Sequence, residues 1–345
     1  MKKIVLVLSI IYGTMSIAQD IHFSQFLMAP LTLDPSQAGK FTGDQRAILN
    51  YKNQWKSIAN PYQTYGFSFD SRLTKKSNFL AGGISIYNDK AGDINMGLLT
   101  VNASLAYHIQ LDRRSYFSAG LQGGILQRSI DPLALEFDNQ YDGSGYNASL
   151  NSGEFISNPT FIQPDFSAGI SYSYQTGSGN NVIMNNGFSG KKVNVGISAQ
   201  HVSRADFTFL GATDQKQAFK YILHFNTSFG ISGTTVAVQP SGFVAYQQGA
   251  YDAVIGAFLR YTLKEKSKYT TYSNGGSMSL GTHYRFGDAF IVTGLMELGS
   301  FTFGVSYDIN VSGLTVATNS RGGIEFSLKF VNPNPYGSRR SVSKF

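Results

Sequence analysis

The chain has 345 residues, a formal net charge of +7 and no cysteine, and only 14% of its residues are charged. So low a charged fraction, against roughly 25% in soluble domains, excludes an ordinary hydrated surface, and the lack of cysteine excludes disulfides and a cysteine-linked lipid anchor. Apolar residues make up 42% of the chain while mean hydropathy is only −0.12, so they are dispersed, and no run beyond the first residues reaches the ~18 needed for a spanning helix.

Residues 1–18 read as a secretory signal peptide: Lys2 and Lys3, an apolar run from Ile4 to about Tyr12, and the small-residue end Ser16-Ile17-Ala18 before Gln19. An exported chain meets no nucleic acid, so the basic charge needs another explanation. Residues 19–43 do not alternate, and Pro30 and Pro35 interrupt them, so they cannot be an inner strand. They are expected to form a plug or lid on a wall built from the rest, with His22, Phe23, Gln25 and Pro35 as plug candidates and Asp308 as a lumen candidate.

From residue 44 to 331 apolar residues fall on every second position, the signature of half-buried strands. Strands are expected near 44–54, 62–72, 79–88, 96–110, 115–130, 163–175, 191–202, 220–231, 234–247, 251–263, 276–286, 289–297, 299–309 and 321–331. In the fourth, Leu99, Val101, Ala103, Leu105, Tyr107 and Ile109 share one face, opposite Asn102, Ser104, Ala106, His108 and Gln110. In the last two, Thr302, Gly304, Ser306 and Asp308, then Glu325, Ser327 and Lys329, fall on the polar face. Fourteen such segments, an even number, predict an all-β fold: a single transmembrane antiparallel β-barrel, in which closure satisfies every backbone donor and acceptor in hydrocarbon. A soluble β-sandwich would carry more charge on its outer faces.

An even strand count places both termini at the periplasmic end. The inner connections then carry Lys75-Lys76, Arg113-Arg114, Lys191-Lys192 and Lys264, Lys266 and Lys268, and the tail 332–345 adds Arg339, Arg340 and Lys344. The longest outer loop, 131–162, carries Asp131, Glu136, Asp138, Asp142 and Glu154. The basic inner face suits either solvation of turns or docking to an acidic periplasmic partner or the cell wall. Trp55, the only tryptophan, ends the first strand beside Tyr51, Tyr62 and Tyr65, where an interfacial aromatic belt is expected.

Catalysis has little to draw on. The five histidines, His22, His108, His201, His224 and His283, lack metal-ligand spacing, and there is no Gly-x-Ser-x-Gly elbow and no nucleotide-binding glycine loop. A barrel enzyme would have to pair groups across the wall, as Ser104 with His108. No cofactor is expected. The pairs Gly82-Gly83, Gly123-Gly124 and Gly322-Gly323 lie inside strands and read as points of strong twist or close backbone approach.

The run Asp20-Ile21-His22-Phe23-Ser24-Gln25-Phe26, followed by Ala29-Pro30 and Leu33-Asp34-Pro35-Ser36-Gln37-Ala38-Gly39, resembles the leading segment of the PorP/SprF family of type IX secretion system membrane proteins. Asn53-Gln54-Trp55, the turn at Asp89 to Gly92, Pro164-Asp165-Phe166, Tyr307-Asp308 and Arg321-Gly322-Gly323-Ile324-Glu325 extend the resemblance over essentially the whole mature chain. Where that family usually reads Asn-Pro-Ala, this chain has Asp34-Pro35-Ser36. The resemblance implies a non-enzymatic outer-membrane component of the type IX secretion and gliding machinery. Such a component supports export or surface attachment of a large secreted adhesin with a characteristic C-terminal domain, beside other secretion components in the outer membrane and periplasm. Asn53, Gln54 and Trp55 at the outer rim, and Arg113, Arg114, Arg339 and Arg340 inside, then become candidate partner contacts. The alternative is a passive or substrate-selective pore with an open lumen lined by Ser104, His108, Asn226 and Asp308.

Overall fold

The computed structural model describes residues 20–54, 61–74, 77–92, 95–153, 156, 158–176, 190–205, 209, 216–264, 275–313 and 315–332. The signal peptide, Trp55, Lys75-Lys76, Glu154, most of the 176–190 connection, Lys266, Lys268 and the basic tail lie outside those residues.

The alternating segments become fourteen antiparallel strands. They are β1 (Gln45–Gln54), β2 (Tyr62–Arg72), β3 (Phe79–Ala91), β4 (Met96–Gln110), β5 (Ser115–Ser129), β6 (Thr160–Gln175) and β7 (Lys191–Gln200), then β8 (Lys220–Gly230), β9 (Val236–Gln247), β10 (Ala250–Lys264), β11 (Gly276–Arg285), β12 (Ala289–Leu298), β13 (Phe301–Asn310) and β14 (Arg321–Asn332). Each pairs with its sequence neighbours and β14 pairs with β1, Gln45 opposite Asn332 and Gln54 opposite Gly323, so the sheet closes into a barrel. No free sheet edge is then left to hydrocarbon. Each expected segment holds one strand. The largest boundary differences arise where the ladder outlasts the apolar pattern: Asp89 and Lys90 still pair with Leu98 and Gly97, and Thr160 with Ser129. No helix among the described residues is long and apolar enough to cross a membrane.

Alternation decides which side chains meet lipid. Leu105, Leu121, Ile170, Leu223, Leu259, Leu280, Phe303 and Phe326 point outward and are exposed, whereas Ser104, His108, Ser118, Ser171, His224, Asp308 and Glu325 point inward and are buried. The barrel end that holds the start of β1 and the end of β14 also carries the 111–114, 231–235 and 299–300 turns. The opposite end carries the long connections 130–159 and 201–219. In bacterial barrels the end with both termini is periplasmic and the end with long loops is outer. Not every outer connection is long: four residues, 92–95, join β3 to β4, and three, 286–288, join β11 to β12. Between β9 and β10 only Gln248 and Gly249 intervene, at φ 48° and 90°, the two left-handed residues of a tight hairpin whose twist matches the strands.

Candidate functional site: the lumen and the segment inside it

Residues 20–43 lie within the ring of inward-facing side chains. Without alternation or a ladder partner, their backbone groups have to be satisfied locally or by the wall. Three short turns do part of this: a 3-10 turn at Phe26–Met28, a helical turn at Pro30–Leu33 and a 3-10 turn at Pro35–Gln37. Proline opens the last two, where its missing N–H costs nothing and its φ suits the first turn. Asp34 caps the third, its Oδ1 accepting from the Ser36 amide at 2.7 Å.

The wall supplies the remaining partners. Glu325 on β14 accepts from the backbone amides of Ser24 and Gln25 at 2.8 and 3.0 Å. Gln25 donates back to the Glu325 carbonyl and accepts from Ser327, so it clamps the segment to the closing strand. Ser24 Oγ donates to Asp308 at 2.7 Å, Arg285 donates to Ser24 Oγ at 2.8 Å, and Arg285 pairs with Asp308 at 3.1 Å. Lys52 donates to the His22 carbonyl at 3.0 Å. Further along, His224 faces Asp34 at 3.0 Å, Ser198 and Gln200 donate to the carbonyls of Leu33 and Thr32, and Ser36 meets Ser171. His108 Nε2 lies 2.8 Å from the Ala38 carbonyl and so must carry the proton. Asp70, itself paired with Arg46 at 2.7 Å, accepts from the Gly39 amide at 2.7 Å.

Apolar contacts reinforce these bonds. Phe26 and Leu33 form one cluster with the inward-facing Ile222, Phe243, Ala245, Val254 and Ile291, and Phe23 packs on Tyr87 with ring centroids 5.7 Å apart. The inner wall is therefore not uniformly polar; it is apolar where the segment brings apolar side chains to it. Glycine makes room for the Asp34–Ser36 turn. A Cβ at Gly120 would collide with Pro35 and Ser36, one at Gly169 with the Asp34 carboxylate, and one at Gly196 would come within 2.7 Å of that carboxylate. Gly120 and Gly169 stand opposite each other in the β5–β6 ladder, so this cradle is a property of register.

At the outer end the Asp20 carboxylate meets His201 at 2.9 Å, Lys220 at 3.6 Å and Arg128 at 3.8 Å, and His201 also contacts Asp165 at 3.0 Å. Burial alone would raise the Asp20 pKa, but Lys220, His201 and Arg128 hold it well below the usual carboxylate range. Burial alone would lower that of His201, but Asp20 and Asp165 push it up to about 9.

The sequence candidates separate in space. His22 presents its carbonyl to Lys52, Phe23 packs on Tyr87, Gln25 clamps β14, Pro35 is buried against the glycine cradle and Asp308 links Arg285 to Ser24. Asn53 and Gln54 sit at the outer end of β1, but Gln54 faces inward and is buried, and the Asn53 amide donates to the Tyr51 hydroxyl. Arg113 and Arg114 are exposed in the β4–β5 turn at the inner end. Ser104 is not the partner of His108: the histidine meets Ser118 at 2.8 Å, and Ser104 takes the Gln122 amide instead. Sequence reading did not single out Glu325, Arg285, Asp70, Arg46, His224 or Gly120 as site residues, although alternation alone puts Glu325 inside. A charged side chain on the lumen face in mid-strand was the available signal.

The model of the family described as type IX secretion system membrane protein PorP/SprF matches residues 15–330. No curated protein matches the chain. Among solved structures, the chain is similar to the CymD monoaromatic hydrocarbon channel at 10% identity and a TM-score of 0.50, covering 91% of this chain and 94% of that one. It is also similar to BamA from Haemophilus ducreyi lacking POTRA domains 1–3, at 11% identity and a TM-score of 0.42, covering 84% and 70%. At 10% identity the likeness to CymD concerns the barrel fold alone. The family match over nearly the whole chain, on a closed fourteen-stranded outer-membrane barrel, places this protein in the PorP/SprF family of type IX secretion system membrane proteins.

Proposed function

We propose that this barrel is a closed, non-enzymatic anchor of the type IX secretion machinery, supporting export or surface attachment of a large secreted adhesin, rather than a conduit. The observation that carries this is the hold on residues 20–43, which bond to inward-facing groups on β1, β2, β4, β6, β7, β8, β11, β13 and β14. A segment tied around so much of the wall fills the lumen as a plug and leaves the two ends of the barrel to make contacts. Of Ser104, His108, Asn226 and Asp308, which would line an open pore, His108 and Asp308 are bonded to Ala38 and Ser24 of the segment, Ser104 takes the Gln122 amide on the next strand, and Asn226 is half-buried.

Partner contacts are proposed at Asn53, at the outer end of β1, with Trp55 after it in the chain, and at Arg113 and Arg114 in the exposed β4–β5 turn, with Arg339 and Arg340 of the tail; Gln54, which faces inward, is left out. An exposed ion pair gives ~0.2–1 kcal/mol, so docking through the basic face needs several charges at once. Purification in mild detergent followed by mass spectrometry tests the anchor reading. Co-purification of an exported adhesin or other secretion components is expected, with no conductance in planar bilayers. Steady conductance without a captured partner would favour the pore.

A further inference from the structure

The segment does not merely lie in the lumen; it begins at the outer end and leaves at the inner end. At Asp20 its partners are His201, which directly follows β7, Lys220, which begins β8, and Arg128, the penultimate residue of β5. All three mark the outer end. Ser24 and Gln25 meet Glu325 near the start of β14, still in the outer half. Ser36 meets Ser171 in the inner third of β6. Gly39 meets Asp70 at the inner end of β2, and the Asp44 amide donates to Asn332, the last residue of β14, at 3.0 Å. The segment therefore starts at the outer end and leaves at the inner end, with Thr32 returning on the way to Gln200, the outer-end residue of β7.

From this we infer that, once residues 1–18 are removed, the chain end just before Asp20 is delivered through the barrel's own lumen to the outer mouth, where it is accessible from outside the cell. The inference rests on the outer-membrane orientation used above and goes beyond the anchor function.

Because the chain has no cysteine, each introduced cysteine is a unique label site. One variant carries Gly-Ser-Cys-Gly-Ser between Gln19 and Asp20. The controls are Ser144→Cys in the exposed 130–159 outer loop and Ser232→Cys in the exposed β8–β9 turn at the inner end. Cells bearing each are treated with a membrane-impermeant maleimide, intact and after permeabilisation. The inserted cysteine should label in intact cells as Ser144→Cys does, with Ser232→Cys labelling only after permeabilisation. If the insertion labels only after permeabilisation while Ser144→Cys labels on intact cells, the end exits inward and the inference is overturned. It is equally overturned if the insertion never labels in a barrel shown to be folded by heat-modifiable migration. Should Ser144→Cys be protected and Ser232→Cys reactive, the orientation itself is reversed, a different signature. A second variant with a lone cysteine at the same junction serves if the longer insertion does not fold.

Discussion

The outer surface and the lumen are built from alternate residues of the same strands, yet they meet different solvents and obey different rules. Outside, each side chain faces lipid on its own: Phe225, Val305 and Leu280 need only be apolar and of any shape. Inside, Asp308, Arg285, Glu325 and Asp70 are withdrawn from water and are tolerable only because each has partners on residues 20–43 or on a neighbouring strand. The outside is therefore additive and permissive, the inside mutually dependent. Removing one member of a buried charged network leaves the others uncompensated.

Breaking that dependence should give the largest effect. Glu325→Ala removes the acceptor of two buried backbone amides and should cost about 1–3 kcal/mol for each, read from the urea midpoint of the refolded barrel in detergent. Unchanged stability would mean that the segment is not held at β14. On the lipid side, Phe225→Lys lies in mid-strand and should cost ~2–4 kcal/mol. The comparison is sharpened by Ser306→Lys. Alternation alone expects it to be mild, since Ser306 faces the lumen. In the structure Ser306 is 1% exposed, so the variant should cost at least as much as Phe225→Lys; a mild result would show that there is room beside the segment.

Near the inner interface the penalty for a charge falls to ~0–1 kcal/mol, so Phe330→Asp should leave a folded barrel nearly as stable. Phe330 nevertheless ends the outward face of the last strand beside Phe301, with centroids 5.0 Å apart, and resembles the aromatic end by which outer-membrane clients are recognised. Its loss should lower the inserted amount on immunoblots, whereas deletion of residues 337–345 should not. The smallest effect concerns pH. The His201 contribution is complete below its ordinary value of 6.5 and is lost as pH rises through about 9; that of Asp20 is complete above 3.8 and is lost as pH falls toward its depressed value. Hydrogen exchange over residues 20–25, corrected for intrinsic rates, should be slowest between those limits and accelerate above about pH 9, and His201→Ala should abolish the alkaline change.

How much was legible follows from which physical term dominates where. Lipid acts on each residue separately and alternation has a fixed period of two, so the sequence by itself determined the strands, their number, the closed barrel and the lumen side of Asp308 and Glu325. Pro30 and Pro35 likewise barred residues 19–43 from the sheet. Which groups meet in the lumen depends on pairs more than a hundred residues apart, such as His224 with Asp34 and Glu325 with Ser24, and no local pattern encodes such distances. Only the tertiary structure decided that Gly120 and Gly169 align to admit the Asp34–Ser36 turn, that His108 serves Ala38 rather than Ser104, and that Gln54 turns inward. Register across the closed sheet fixes those meetings, and register is set by the whole ring of strands at once.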